Sequence, residues 1–323
     1  MKPKLVCVGE TFLNGQSGHH LPLFSKHFDI SDYDDTIQYD HNTTFMYRTD
    51  QSRARLKNYE DSCKFIADGI WEVQFFCSTD FDINTLGLIA AGHNSNSRVM
   101  TVPKWFWFEE HFSQQDKKSL IKDMPFTHKK TKSFLMQIGD AKDSRIRLYD
   151  ALKQKDLLKN AVYSFLEYGK ALEGPFGNYD PNVPPFPQRA YRPEWYNDTH
   201  FTVVPEAMNE IIDGHNDCFI TEKTMKPIMY GHPFIILGDK GTYSMLRSWG
   251  FYTFPELFGE SFEMNSDLDK KIERMCELID EYRPQDVADK IVHNFDRFWN
   301  RDKVEALMVK EIIEPMLEFI SKQ

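Results

Sequence analysis

The chain has 323 residues, 41% of them apolar and 14% aromatic, an ordinary globular composition with enough apolar mass for one large core or two smaller ones. A net charge of −10 excludes a protein whose whole surface grips nucleic acid, because counterion release needs clustered lysine and arginine. Five cysteines, at positions 7, 63, 77, 218 and 276, are odd in number and lack metal-ligand spacing, so reduced thiols are expected.

In chain order, Met1 to Gly9 reads as a short strand ended by glycine and not as a signal peptide. No later segment has the uninterrupted apolar length that a bilayer crossing needs. Trp71 to Cys77 reads as a strand, Ser78 to Asn84 as a loop, and Gly87 to Ala91 as a further apolar element. Lys117, Lys118 and the run His128 to Lys132 form the main basic concentration, which reads either as a solvated linker or as a positive rim beside a cleft. Gly174 to Trp195 is a proline-rich loop.

The stretch Phe219 to Gly238 carries the most information. Pro227 lacks an amide hydrogen and is tolerated only near a helix start, so a helix is predicted to begin near Thr224, with Thr224 as its cap. Glu222 and Lys223 then fall on the preceding loop, where free amides and the helix dipole favour phosphate. Gly231 suits the left-handed position after the helix, His232-Pro233 turns the chain, and Phe234 to Leu237 reads as a buried strand ended by Gly238. Thr242 to Trp249 is predicted helical, closed by Gly250, with Phe251 to Phe254 extended. Strand, helix and strand in this order imply parallel pairing in a Rossmann-like layer, with ligands at the carboxyl ends of the strands. From Asp267 onward the pattern is helical, notably Lys270 to Ile279 and Val304 to Ile320.

Phe219-Ile-Thr-Glu-Lys223 resembles the donor-binding signature of the α-1,3-fucosyltransferases and their viral and bacterial relatives, the family-ten glycosyltransferases of GT-B fold. Phe201 to Glu206 is similar to the strand and glutamate that precede that signature, and Leu246 to Phe254 resembles its continuation. Ser133 to Gly139 with Asp143 to Leu152 looks like the first strand and arginine-bearing helix of the donor domain, and Arg98 to Phe108 like the strand that ends the acceptor domain's sheet. The resemblance implies an α/β fold of GT-B type, two Rossmann-like domains facing a central cleft. The coarse division is an acceptor-side domain over 1–126, a nucleotide-sugar domain over 127–298, and a helical segment over 299–323 returning toward the first.

The same resemblance implies a nucleotide-diphosphate sugar as co-substrate. Glu222 would hydrogen-bond the ribose, Lys223 would pair with the diphosphate, Phe219 would lie beside the nucleotide, and Thr221 belongs to the same donor-binding motif. Arg145, with Arg147 as second choice, would also meet the diphosphate. Relatives often carry tyrosine where this chain has Phe219, and asparagine where it has Ala207 after Glu206, so a guanosine donor and fucose are not implied. Glu206 ends an apolar run and must be satisfied there, which suits it to orienting Lys223 or the donor sugar.

An inverting transfer needs a carboxylate to take the acceptor's proton and cations to stabilise the departing diphosphate. Asp80 and Asp82 occupy the loop where the family places its base, usually a glutamate. Asp80-Phe-Asp82 also matches the Asp-x-Asp pattern by which other glycosyltransferases hold a divalent cation, but that reading leaves Phe219 to Lys223 unexplained. No metal is expected to be required, with assistance by magnesium or manganese left open. The expected acceptor is a glycan or small sugar; the alternatives are a phage-type enzyme acting on a hydroxymethylated DNA base and a non-catalytic carbohydrate-binding module. Secretory-pathway relatives carry a membrane anchor, so its absence points to the cytoplasm, of a bacterium or of a virus-infected host.

Overall fold

The computed structural model of the chain describes residues 2–8, 21–32, 43–49, 71–76, 97–101, 129–139, 141–165, 193–206 and 220–321. The chain divides into two compact units, Met1–His111 with Asn300–Gln323, and Phe112–Trp299. Each is built on a parallel sheet, so the expected α/β class with two Rossmann-like layers is present.

In the first unit, β1 (Lys4–Val8), β2 (Asp29–Asp32), β3 (Thr43–Thr49), β4 (Trp71–Phe76) and β5 (Ser97–Thr101) lie in the order β2-β1-β3-β4-β5. Every pairing is parallel. β1 and β4 fall where the apolar runs place them and β5 opens the segment that the family resemblance reads as a strand, whereas β2 and β3 go beyond the sequence reading. β2 is Asp-Ile-Ser-Asp and mostly exposed; it exists because its backbone pairs with β1, from Lys4 with Asp29 to Cys7 with Asp32. Leu5 and Val6 are fully buried, as is Phe24 at the end of α1 (Leu21–Phe24), and Phe24 stacks on Phe28 at 6.2 Å.

In the second unit, β6 (Lys132–Ile138), β7 (Ala161–Phe165), β8 (Thr199–Pro205) and β9 (Phe234–Leu237) lie in the order β7-β6-β8-β9, all parallel. The helices are α2 (Asp143–Gln154), α3 (Pro193–Asn197), α4 (Glu222–Met229), α5 (Thr242–Ser248), α6 (Pro255–Phe258), α7 (Leu268–Asp280) and α8 (Ala288–Trp299). Parallel strands covered on both faces read as continuous apolar runs, and all four residues of β9 are buried. Phe201 of β8 meets Phe134, Phe258 and Tyr282 at ring distances of 5.8, 4.8 and 4.6 Å, which anchors α6 and the end of α7 on the sheet. Ile272, Met275, Cys276 and Ile279 form the buried stripe of α7. Burial pushes the free Cys276 thiol up to about 11, consistent with an inert core cysteine. Trp299 of α8 donates its indole N–H to the Met229 carbonyl at 2.9 Å and ties α8 to the end of α4. Along β9, the Ile236 amide donates to the buried Tyr243 hydroxyl at 2.7 Å, so the strand's outer edge is covered.

Gly231 adopts φ 64°, the left-handed turn expected after α4. His232 follows it into the core, 2% exposed. Its Nε2 lies 2.8 Å from the Thr199 carbonyl and its Nδ1 2.7 Å from the Thr202 hydroxyl, the pattern of a neutral ring donating through Nε2 and accepting at Nδ1. Burial pushes its pKa down to about 3. Lys130 lies at this same amino-terminal edge of the sheet and donates to the Tyr196 and Asn197 carbonyls at 3.3 and 3.0 Å. This part of the basic run is therefore structural, and it lies at the end of the strands opposite to their ligand-binding edge.

The chain closes on the first unit with α9 (Arg301–Met308), a π-helical turn over Val309–Ile313, and α10 (Glu314–Ser321). Val304, Met308, Ile312 and Met316 are each 0% exposed. Steps of four residues drift about 40° in a regular α-helix, and the wider π turn absorbs that drift and keeps the stripe on one side. Glu305 lies 3.9 Å from Lys26 near α1, within the same unit.

Candidate functional site at the carboxyl edge of the second sheet

After β6 the chain passes through α2 to β7 on one side, and later returns as β8 on the other side of β6. This reversal is a topological switch point, the place where open parallel sheets leave a crevice outside their carboxyl ends. Among the described residues α2 starts from that edge after β6, α4 after β8 and α5 after β9, and α2 and α4 flank the switch point.

Glu206 stands at the end of β8, 1% exposed. A buried carboxylate must be satisfied, and both of its oxygens are. Oε1 accepts from the Thr221 amide at 2.8 Å and the Thr224 hydroxyl at 2.7 Å, while Oε2 accepts from the Thr221 hydroxyl at 2.6 Å. These bonds fasten the first turn of α4 to the end of the strand. They also explain a departure from the predicted helix start. Thr221, not Thr224, is the cap, accepting from the Lys223 amide at 3.3 Å, and the helix begins at Glu222. Glu222 and Lys223 thus belong to the first turn and not to the loop, and Pro227 lies inside the helix, depriving the Lys223 carbonyl of its usual amide partner.

Lys223 Nζ lies 2.8 Å from Glu222 Oε1 and 3.4 Å from Thr221 Oγ1, with both charged side chains about one quarter exposed. For Glu222, burial pushes the pKa up, but the charges of Lys223 and Lys226 and the hydrogen bond from Lys223 outweigh it, and the carboxyl stays below its ordinary range. The structure therefore gathers Glu206, Thr221, Glu222 and Lys223 into one bonded cluster. Two further residues adjoin it that the sequence reading did not assign to donor binding: Thr224, bonded through Glu206, and Lys226, one turn along α4 and not bonded to the cluster. For Lys226 the signal is its spacing of three residues from Lys223 and four from Glu222.

The two arginines of α2 separate. Arg145, in the first turn of the helix, is 1% exposed. Arg147 is about half exposed and lies 2.8 Å from Asp143 and 3.1 Å from Asp269 in the first turn of α7, on the outside of the unit. Hydrogen bonds to those two aspartates push its pKa up. Asp80, Asp82 and Phe219 lie outside the described residues. Among the described residues, no group of three or more His, Cys, Asp or Glu side chains could hold a metal, and no helix is long and apolar enough to cross a membrane.

Fold and site together define a two-unit parallel α/β protein with a cationic helix start at the switch point of its second sheet. No protein-family profile matches the chain. No characterised protein matches it in sequence. Among solved structures, it is similar to an α1,3-fucosyltransferase at 10% identity, covering 94% of this chain and 92% of that one, with a TM-score of 0.44. It is also similar to the DNA-modifying enzyme β-glucosyltransferase, solved with and without its substrate uridine diphosphoglucose, at 12% identity, covering 98% and 99%, with a TM-score of 0.44. Likeness at that level carries no argument about what this chain does.

Proposed function

We propose that the chain is a glycosyltransferase that moves a sugar from a nucleotide-diphosphate donor to an acceptor hydroxyl, holding the donor's diphosphate at the carboxyl edge of the second sheet. The observation that carries this reading is the buried Glu206 carboxylate, which is consumed by Thr221 and Thr224 and so fixes the first turn of α4, with Lys223, at the switch point. The first-turn amides of Lys223 and Thr224 are held by Thr221, so the Lys223 ammonium and the positive dipole end of the helix are what suit phosphate there. In this reading Glu206 positions the site and does not touch the donor. Lys223 and Arg145 stabilise the charge that develops on the leaving diphosphate. Glu222 takes a donor hydroxyl, and Thr221 sets the turn. As the acceptor oxygen bonds the anomeric carbon, the bond from that carbon to the diphosphate breaks on the opposite face, and Asp80 or Asp82 receives the acceptor's proton. The anomeric configuration inverts. A glycan or small sugar is the acceptor class, reached without an obligatory metal.

The test is a thermal-shift and calorimetric panel of nucleoside diphosphates and their sugar conjugates. A ligand that binds only the folded state raises the melting temperature, so at least one diphosphate should do so for the wild type and fail to for Lys223→Ala. Equal binding by that variant, or no binding by the wild type, overturns the proposal.

A further inference from the structure

On α4, Thr224, Met225, Pro227, Ile228 and Met229 are buried, and the positions left accessible are Glu222, Lys223 and Lys226. At about 100° per residue these three fall within one arc, with Lys226 about 40° from Glu222 and between it and Lys223, one turn further along. The accessible face of this otherwise buried helix is therefore a stripe of charge, two cations and one anion.

The two cations are not equivalent. The Lys223 ammonium is held against the Glu222 carboxylate at 2.8 Å, so that pair is neutral in sum. The Lys226 ammonium makes no hydrogen bond or ion pair among the described residues and supplies the net positive charge of the stripe. A cation largely withdrawn from water, with no bonded anion among the described residues, is costly, and an anionic ligand would offset that cost.

We infer that Lys226 is a second phosphate-binding cation of this site, contacting the diphosphate of a nucleoside diphosphate from the second turn of α4. The inference rests on the proposed donor site and adds a residue to it. Burial pushes the Lys226 pKa down to about 8, with Glu222 raising it and Lys223 lowering it. Among the described residues, the charges acting on it lie on its own helix, and β8, β9 and α8, which pack against α4, contribute none. Near pH 8 the free site is therefore part-protonated, and a bound diphosphate draws a proton onto it.

The experiment is titration calorimetry of the full chain with uridine and guanosine diphosphate at pH 8, in two buffers of different protonation enthalpy, alongside Lys226→Arg and Lys226→Met. The wild type should take up about half a proton on binding. Lys226→Arg should bind within a few-fold of wild type but take up none, because guanidinium stays charged. Lys226→Met should bind about tenfold more weakly with no uptake. Binding by the wild type without proton uptake overturns this inference alone, as does unweakened binding by Lys226→Met. A wild type that binds neither nucleotide overturns the donor site and this residue's role together. Thermal melts without ligand confirm that each variant is folded.

Discussion

Replacing Glu206 by glutamine tests the joint between β8 and α4. The substitution keeps the shape of the side chain, but an amide has one accepting oxygen and one donating nitrogen, where the carboxylate accepts three bonds of 2.6–2.8 Å. With its oxygen toward the Thr221 amide and Thr224 hydroxyl, two bonds persist in weaker, uncharged form, and the Thr221 hydroxyl loses its acceptor. Hydrogen bonds to charged groups contribute about 1.5–3 kcal/mol each and neutral ones about 1 kcal/mol. Losing one outright and weakening two by about 0.5–2 kcal/mol each gives a cost of about 2.5–7 kcal/mol. For a unit of roughly 150–250 residues this lowers the melting temperature by about 5–28 °C. Scanning calorimetry and urea unfolding measure it, and nucleotide titration should show weakened binding even below the melting range. A Glu206→Gln variant melting within about 1 °C of wild type, with nucleotide affinity intact, would refute the idea that this carboxylate builds the site.

His232 gives a pH dependence. Its folded pKa is pushed down to about 3 by burial, against about 6.5 when unfolded. The unfolded state binds the extra proton, so the contribution is complete above about pH 6.5 and is lost as pH falls toward 3, at up to about 1.4 kcal/mol per unit. Urea unfolding should show about 2 kcal/mol less stability at pH 5 than at pH 7, and His232→Asn should flatten that slope. Arg147→Ala should leave both melting temperature and nucleotide binding unchanged, since its partners are exposed aspartates; lost binding would return it to the donor site. Tyr243→Phe should strand the Ile236 amide on the edge of β9 at a cost of about 1–3 kcal/mol, read by urea unfolding and by faster exchange at Ile236.

Local chemistry was enough for the elements whose residues agree with their surroundings. Phe234 to Leu237 is apolar throughout and bounded by Pro233 and Gly238, and it forms β9 as read. The stripe of Ile272, Met275, Cys276 and Ile279 repeats at helical spacing and packs as α7. β2, β3 and β7 escaped that reading: β2 and β7 are short edge strands of their sheets, with exposed or half-buried polar positions, held by pairing to β1 and β6, and β3 is mostly polar in sequence and is set by its place between β1 and β4.

The motif around Lys223, and its suitability for an anionic ligand, were legible in residue types and order alone. The start of its helix was not. Thr221 and Thr224 are equally good caps by local rules, and the choice between them is made by Glu206, which from the end of another element binds both hydroxyls and also the Thr221 amide, holding Thr221 where its hydroxyl accepts from the Lys223 amide. The switch point beside them exists because β8 pairs on the far side of β6 from β7, a strand order that no local pattern encodes. Propensity and periodicity act over a few residues, whereas the partner of a buried polar group is chosen by whatever the folded chain brings within 3 Å of it.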